Sequence, residues 1–173
     1  SQKKTPVVIN LSTSRMVGDL AERFGRKVHY TKIGEHHVVQ KIKKIDAAIG
    51  GEGNGGVIYP KINPARDSFV GIGLILELLA HIRRPVSALI RALPRYVMIQ
   101  RKLPLAQDGA GTLLKRLTKR LPGGRITRLD GVRIDLKEGW IHARPSNTEP
   151  ILRLIAEAPT KKEAERLLRR ALS

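Results

Sequence analysis

A chain of 173 residues, 41% of them apolar, is long enough for one well-buried core or two small ones and too apolar to be disordered. It contains no cysteine, which removes disulfides, thiolate metal sites and cysteine nucleophiles together and suits a reducing cytoplasm. With 33 Lys/Arg against 15 Asp/Glu the formal charge is +18, a value that raises nucleic acid as a partner.

That excess is spread out. Residues 1–104 hold 18 basic and 7 acidic side chains and residues 105–173 hold 15 and 8, so neither part is a basic tail. Three tyrosines, two phenylalanines and one tryptophan leave little for base stacking. A dedicated nucleic-acid module is the weaker reading, with non-specific polyanion binding at low salt left open. The first residues lead into only a short apolar run and do not resemble a signal peptide. The most apolar stretch, 69–80, is too short to span a bilayer and contains Glu77. A soluble, cytoplasmic protein with no membrane contact is expected.

Residues 6–11 form a β-rich run that passes into Ser12, Thr13 and Ser14, which carry helix-capping chemistry. Met16, Val17, Leu20, Ala21 and Phe24 follow at helical spacing and Gly25 ends the helix. Residues 27–31 predict a second strand, 35–44 a helix, and 47–49 a third strand stopping at Gly50. Strands alternating with helices predict an α/β domain, its mostly parallel sheet covered by helices on both faces. A glycine-rich loop, 50–56, precedes a short strand at 57–59 and a turn containing Pro60 and Pro64. Asp67 or Ser68 caps a helix to about Ile82 that is apolar nearly all round, which predicts a place at the centre of the core. A short helix at 86–92 and a strand at 95–102 follow. Pro104 and its neighbours suggest a domain boundary, giving domains at 1–104 and 105–173.

The second domain reads differently: a helix at 110–120, strands near 125–129, 132–136, 140–144 and 151–157, and a last helix. Thr160 with Glu163 makes a capping box for that helix, and Ala164, Leu167, Leu168, Ala171 and Leu172 form its buried stripe. Consecutive strands between two helices predict a small α+β domain.

Residues 144–150, Arg-Pro-Ser-Asn-Thr-Glu-Pro, place a guanidinium, two hydroxyls, an amide and several turn N–H groups in one bend after a strand. Such a bend can cradle a dianion, since the arginine fork matches two phosphate oxygens and hydroxyls and amides take the others. Arg153 on the next strand can close the same pocket. An ordinary solvated turn is the competing reading. The loop at 50–56 leaves two side chains able to contact anything, Glu52 and Asn54, whose carboxylate and amide suit adjacent sugar hydroxyls. It lacks the closing Gly-Lys-Ser/Thr of a P-loop and leads into a strand, unlike a dinucleotide fingerprint. His36 and His37 are adjacent, so diverging rings are expected, and no metal role follows. Arg66 and Asp67 can brace the sugar loop as an ion pair, and Trp140 belongs to the core.

Together the segments 50–60, Arg66-Asp67 and 144–150 with Arg153 resemble the α-D-phosphohexomutases, the phosphoglucomutase, phosphomannomutase and phosphoglucosamine mutase types. Residues 8–15 and 34–38 also look like that family's third domain, so the resemblance covers nearly the whole chain. It implies the C-terminal half of a four-domain enzyme, 1–104 reading sugar hydroxyls through Glu52 and Asn54. Residues 105–173 would then hold substrate phosphate through Arg144, Ser146, Asn147, Thr148 and Arg153. The implied ligand is a hexose phosphate or hexose bisphosphate, and the implied reaction moves phosphate between C1 and C6 through a phosphoserine and Mg²⁺. The family's phosphoserine segment and Asp-Gly-Asp-x-Asp-Arg metal loop are absent from these 173 residues, and both belong to domains 1 and 2. The chain is therefore expected to bind substrate without turning it over and to take no metal itself. A stand-alone sugar-phosphate-binding module and a basic nucleic-acid-associated protein are the alternatives.

Overall fold

Val7, Val8 and Ile9 are all buried, a pattern produced by a strand covered on both faces. The computed structural model describes residues 4–105, 109–146 and 148–173. It divides into two compact units, Ser1–Pro94 and Arg95–Ser173.

The first unit runs β1 (Val7–Asn10), α1 (Arg15–Arg23), β2 (Val28–Thr31), α2 (Glu35–Ile45), β3 (Ile49–Gly51), β4 (Val57–Tyr59), β5 (Asn63–Arg66), α3 (Ser68–Ile82) and α4 (Val86–Ala92). Its sheet has the order β2-β1-β3-β4-β5, with β2, β1 and β3 parallel and β4 and β5 antiparallel. Val8 packs with Val38, Ile42, Ala47 and Ile58 beneath α2, while Val7 and Ile9 pack with Ala21 and Val17 of α1 on the opposite face. Helices thus cover both faces, as expected. Each fully buried valine or isoleucine among these stabilises the unit by roughly 1.5–3 kcal/mol through area removed from water. The Ser14 hydroxyl accepts from the Met16 N–H and starts α1.

The second unit runs β6 (Val97–Pro104), α5 (Gly109–Arg120), β7 (Arg125–Thr127), β8 (Val132–Leu136), β9 (Gly139–Pro145), β10 (Ile151–Ala158) and α6 (Lys161–Leu172). Its antiparallel sheet has the order β6-β10-β9-β8-β7. Alternation puts Ile134, Ile141, Leu152 and Leu154 against Leu117 of α5 and Leu167 of α6. The other face carries polar side chains that are nonetheless buried: Arg133, Trp140, His142 and Glu157. Trp140 Nε1 donates to Glu157 Oε1 at 2.6 Å, and the Arg133 guanidinium stands 4.1 Å from the Trp140 ring centre.

Several expectations are corrected. The division falls after Pro94 and not near residue 104, because β6 pairs along all of β10, from Val97↔Ala158 to Pro104↔Ile151. The third strand sits at 49–51, two residues later than predicted. A strand at 63–66 appears where the sequence suggests a turn; it is an edge strand, where Pro64 costs no ladder bond. The apolar α3 is not central to the core. None of its residues is buried, and Phe69 is 87% exposed.

Candidate functional site

In the first unit the chain leaves β1 for β2 on one side and returns to β3 on the other. The carboxyl ends of β1 and β3 therefore flank a switch point, the place where open α/β sheets bind ligands. Glu52 sits there. Its Oε1 accepts from Asn10 Nδ2 at 2.9 Å and from the Gly34 N–H at 3.1 Å. Its side chain is only 6% exposed, and its Oε2 lies 3.6 Å from Arg66 Nη1, beyond hydrogen-bond range. Asn10 is itself fixed, its Oδ1 accepting from the Ser12 N–H and the Thr13 hydroxyl, each at 3.0 Å.

The loop around Glu52 is closed by its own backbone, Glu52 N–H to Gly56 O and Gly55 N–H to Glu52 O, both at 3.1 Å. Asn54 Oδ1 accepts from the Gly56 N–H at 3.2 Å, which orients the exposed amide and leaves its NH₂ outside that bond. The glycines press on neighbouring backbone: a Cβ at Gly53 would lie 2.6 Å from the Ser12 carbonyl oxygen, and one at Gly51 2.7 Å from that of Gly56.

Arg66 does not pair with Asp67. Its backbone N–H and Nε donate to the two oxygens of Glu35 at 2.7 and 2.8 Å. The Arg66 backbone N–H, and then its guanidinium, hold the Glu35 carboxyl below the usual carboxylate range. Asp67 instead caps α3 by accepting from the Val70 N–H and also accepts from Asn63 Nδ2 at 3.0 Å; the Asn63 bond, then the helix cap, lowers its pKa. Sequence reasoning missed Asn10 and Glu35, whose partners lie 31 to 42 residues away. His36 and His37 do not diverge either; their ring centres are 3.8 Å apart.

In the second unit Arg144 on β9 and Arg153 on β10 are direct cross-strand partners, and Arg153 is also opposite Lys102 on β6. Three cations thus form one row across three strands on a single face, an arrangement that like-charge repulsion disfavours unless an anion answers it. One carboxylate does so in part: Glu149 accepts from Arg153 Nη2 at 2.9 Å and Lys102 Nζ at 3.2 Å. Lys102 first, then Arg153, keeps Glu149 below the ordinary carboxylate range. Among the described residues the buried Arg153 Nε has no hydrogen-bond partner, and Arg144 has one long contact, 3.5 Å from Nη1 to the Pro145 carbonyl. Ser146 and Thr148 bring their hydroxyls to 3.4 Å of each other in the turn beyond Arg144, and the Ser146 N–H bonds the Ile151 carbonyl at 2.8 Å. Asn147 lies outside the described residues. Lys102 was not singled out by sequence, because its place in the row depends on pairing with a strand 50 residues later.

Two residues before Arg144, His142 is buried, with Nε2 2.7 Å from the Asp130 carbonyl; burial pushes its pKa down and keeps the ring neutral near pH 7. Among the described residues no group of three His, Cys, Asp or Glu is arranged to hold a metal, and no helix is long and apolar enough to cross a membrane. Asp135 is engaged by Arg133 at 2.9 Å and approached by Arg125 at 3.7 Å, so this carboxylate is committed to arginines and does not fit Mg²⁺.

The family model for phosphoglucomutase/phosphomannomutase, alpha/beta/alpha domain III, matches residues 1–96, and that for the phosphoglucomutase/phosphomannomutase C-terminal domain matches residues 98–172. The chain belongs to this family. It is 35% identical over 159 residues to a probable phosphoglucosamine mutase of Methanosarcina barkeri, covering 91% of this chain and 36% of the relative. It is 34% identical over 164 residues to a phosphoglucomutase/phosphomannomutase of Thermococcus kodakarensis, covering 94% and 36%. The crystal structure of a phosphoglucomutase/phosphomannomutase family protein from Burkholderia thailandensis superposes with a TM-score of 0.80 at 26% identity, over 97% of this chain and 37% of that one. The chain thus spans little more than a third of these phosphohexomutases' length.

Proposed function

We propose that this chain is the substrate-holding C-terminal half of a phosphohexomutase that moves phosphate between the C1 and C6 oxygens of a hexose. The observation that carries the reading is the cationic row Lys102, Arg153 and Arg144, three positive side chains in cross-strand register against one carboxylate. A phosphate dianion answers that row: the arginine forks take two oxygens, and the Ser146 and Thr148 hydroxyls with Asn147 take the remainder. In the other unit, Asn54 NH₂ and the uncommitted acceptor capacity of Glu52 Oε2 suit neighbouring hydroxyls of a sugar ring.

This chain's part in the reaction is to bind and orient. The phosphoserine and the Mg²⁺ site belong to residues the family carries outside this stretch, so the chain alone binds hexose phosphate and leaves its C1 and C6 oxygens unchanged. The absence of cysteine accords with a cytoplasmic setting. Calorimetric titration with glucose 1-phosphate, glucosamine 6-phosphate and a DNA oligomer tests the proposal. Sugar-phosphate binding lost in Arg144→Ala is expected. Binding of DNA alone, indifferent to Arg144→Ala and Asn54→Ala, overturns it in favour of general polyanion binding.

A further inference from the structure

Helix α3 presents a problem of physical chemistry. Its sequence, SFVGIGLILELLAHI, is apolar at nearly every position, yet none of its 15 residues is buried. Phe69, Ile72 and Leu76 follow one another at helical spacing and are 87%, 55% and 59% exposed, with Ile75 exposed beside them. The helix is well founded at both ends, capped by Asp67 and closed by Arg83 in the left-handed conformation. Contiguous apolar surface of this extent on a water-facing helix marks an interaction site.

Two observations say what covers it. The matched relatives carry most of their length outside the aligned region, and the match begins at the domain numbered three. A second copy is a poor candidate, because it would bring +18 against +18, and the C-terminal end of α3 is rimmed by Arg83 and Arg84. We propose that the exposed face of α3 is the docking surface for the part of a phosphohexomutase that precedes domain III. That partner surface has an apolar centre to meet Phe69, Ile72 and Leu76 and an acidic margin to meet Arg83 and Arg84.

The test joins to the N-terminus of this chain the segment of the Methanosarcina barkeri relative that precedes the matched region, made free of cysteine. This chain has no cysteine, so Leu76→Cys places a single thiol on the face, and Ser173→Cys serves as control. Labelling of Leu76→Cys by a fluorescent maleimide is expected to be at least tenfold slower in the chimera than in the chain alone, with Ser173→Cys labelling unchanged. Adding Ile72→Glu in the chimera restores fast labelling, while the same change in the isolated chain leaves its unfolding midpoint in place. The two pieces mixed as separate chains give the same comparison if the chimera fails to fold. Equal labelling with and without the partner segment in both formats overturns the proposal. So does protection that appears in the isolated chain as its concentration rises, which assigns the face to a homodimer, or protection by anionic vesicles alone, which assigns it to lipid.

Discussion

Replacing Trp140 by Phe keeps a ring beneath Arg133 and removes one donor, the Nε1–H that meets Glu157 Oε1 at 2.6 Å. Both residues are buried and directly opposite each other on β9 and β10, so no water replaces the lost bond. A hydrogen bond to a charged acceptor contributes about 1.5–3 kcal/mol net, and the smaller ring adds about 1 kcal/mol for incompletely filled space. The expected loss is therefore about 3 kcal/mol, a large share of what a domain of this size possesses. At about 4–8 °C per kcal/mol it lowers the melting temperature of the second unit by roughly 12–24 °C. Urea unfolding followed by circular dichroism, with hydrogen exchange of the β9 and β10 amides, measures it locally. A double-mutant cycle with Glu157→Gln isolates the pair and should return a coupling of about 1.5–3 kcal/mol. A loss under 1 kcal/mol, or a coupling near zero, refutes the reasoning and means that the carboxylate is held by its other contacts.

Arg144→Ala is expected to weaken hexose-phosphate binding roughly 10–100-fold by calorimetry, the value of a forked charge-assisted contact, with the unfolding midpoint little changed. Glu149→Gln removes the carboxylate that competes for Arg153 and Lys102, so phosphate should bind about two- to fivefold tighter at low salt, an advantage that 0.5 M NaCl erases. Asn10→Ala removes the buried amide bonded to Glu52, Ser12 and Thr13 and should cost about 2–4 kcal/mol, read by urea unfolding, while exposing the 50–56 loop to protease. His142 has a folded pKa below that of the unfolded chain, so its neutral form is favoured by folding. Stability is full above about pH 6.5 and declines as pH falls below that, before the carboxylates Glu35, Asp67, Glu138 and Glu149 lose their own contribution below the ordinary carboxylate range. His142→Gln should flatten the stability profile from about pH 6.5 down to the carboxylate range and leave the acid limb; an unchanged slope in that window contradicts this assignment.

What the sequence made legible was local. Ser14 before α1 and Thr160 with Glu163 before α6 are capping patterns complete within four residues, and both form: Ser14 accepts from the Met16 N–H, and Thr160 Oγ1 bonds Glu163. Where the deciding partner was distant, the reading failed. Pro104 looked like punctuation, but β6 belongs with a strand about 50 residues further on. The composition of α3 announced that it needs covering and said nothing about whether this chain supplies the cover. Residues 144–153 already carried both arginines of the cationic row and Glu149, four residues before Arg153, yet Lys102 completes it only through strand register. Glu52 was visible as the carboxylate in a glycine loop; the Asn10, Gly34 and Arg66 groups that surround it come from three other segments.

The crowding of the 50–56 loop against its surroundings sets how this protein can be re-specified. Side chains at 50, 51 or 53 would strike the carbonyls of Val8, Gly56 and Ser12 at 2.6–2.8 Å, and Gly55 has open space but a φ of +93° that L residues rarely adopt. Glu52 is anchored to Asn10 and Gly34 through one oxygen, while its other oxygen stands 3.6 Å from Arg66 Nη1. Sequence drift in the loop is thereby steered away from 50, 51, 53 and 55 and onto 52, 54 and 56, the last of which presses on the Arg66 and Asn54 side chains and not on backbone, so a library that keeps the other four glycines samples folded chains.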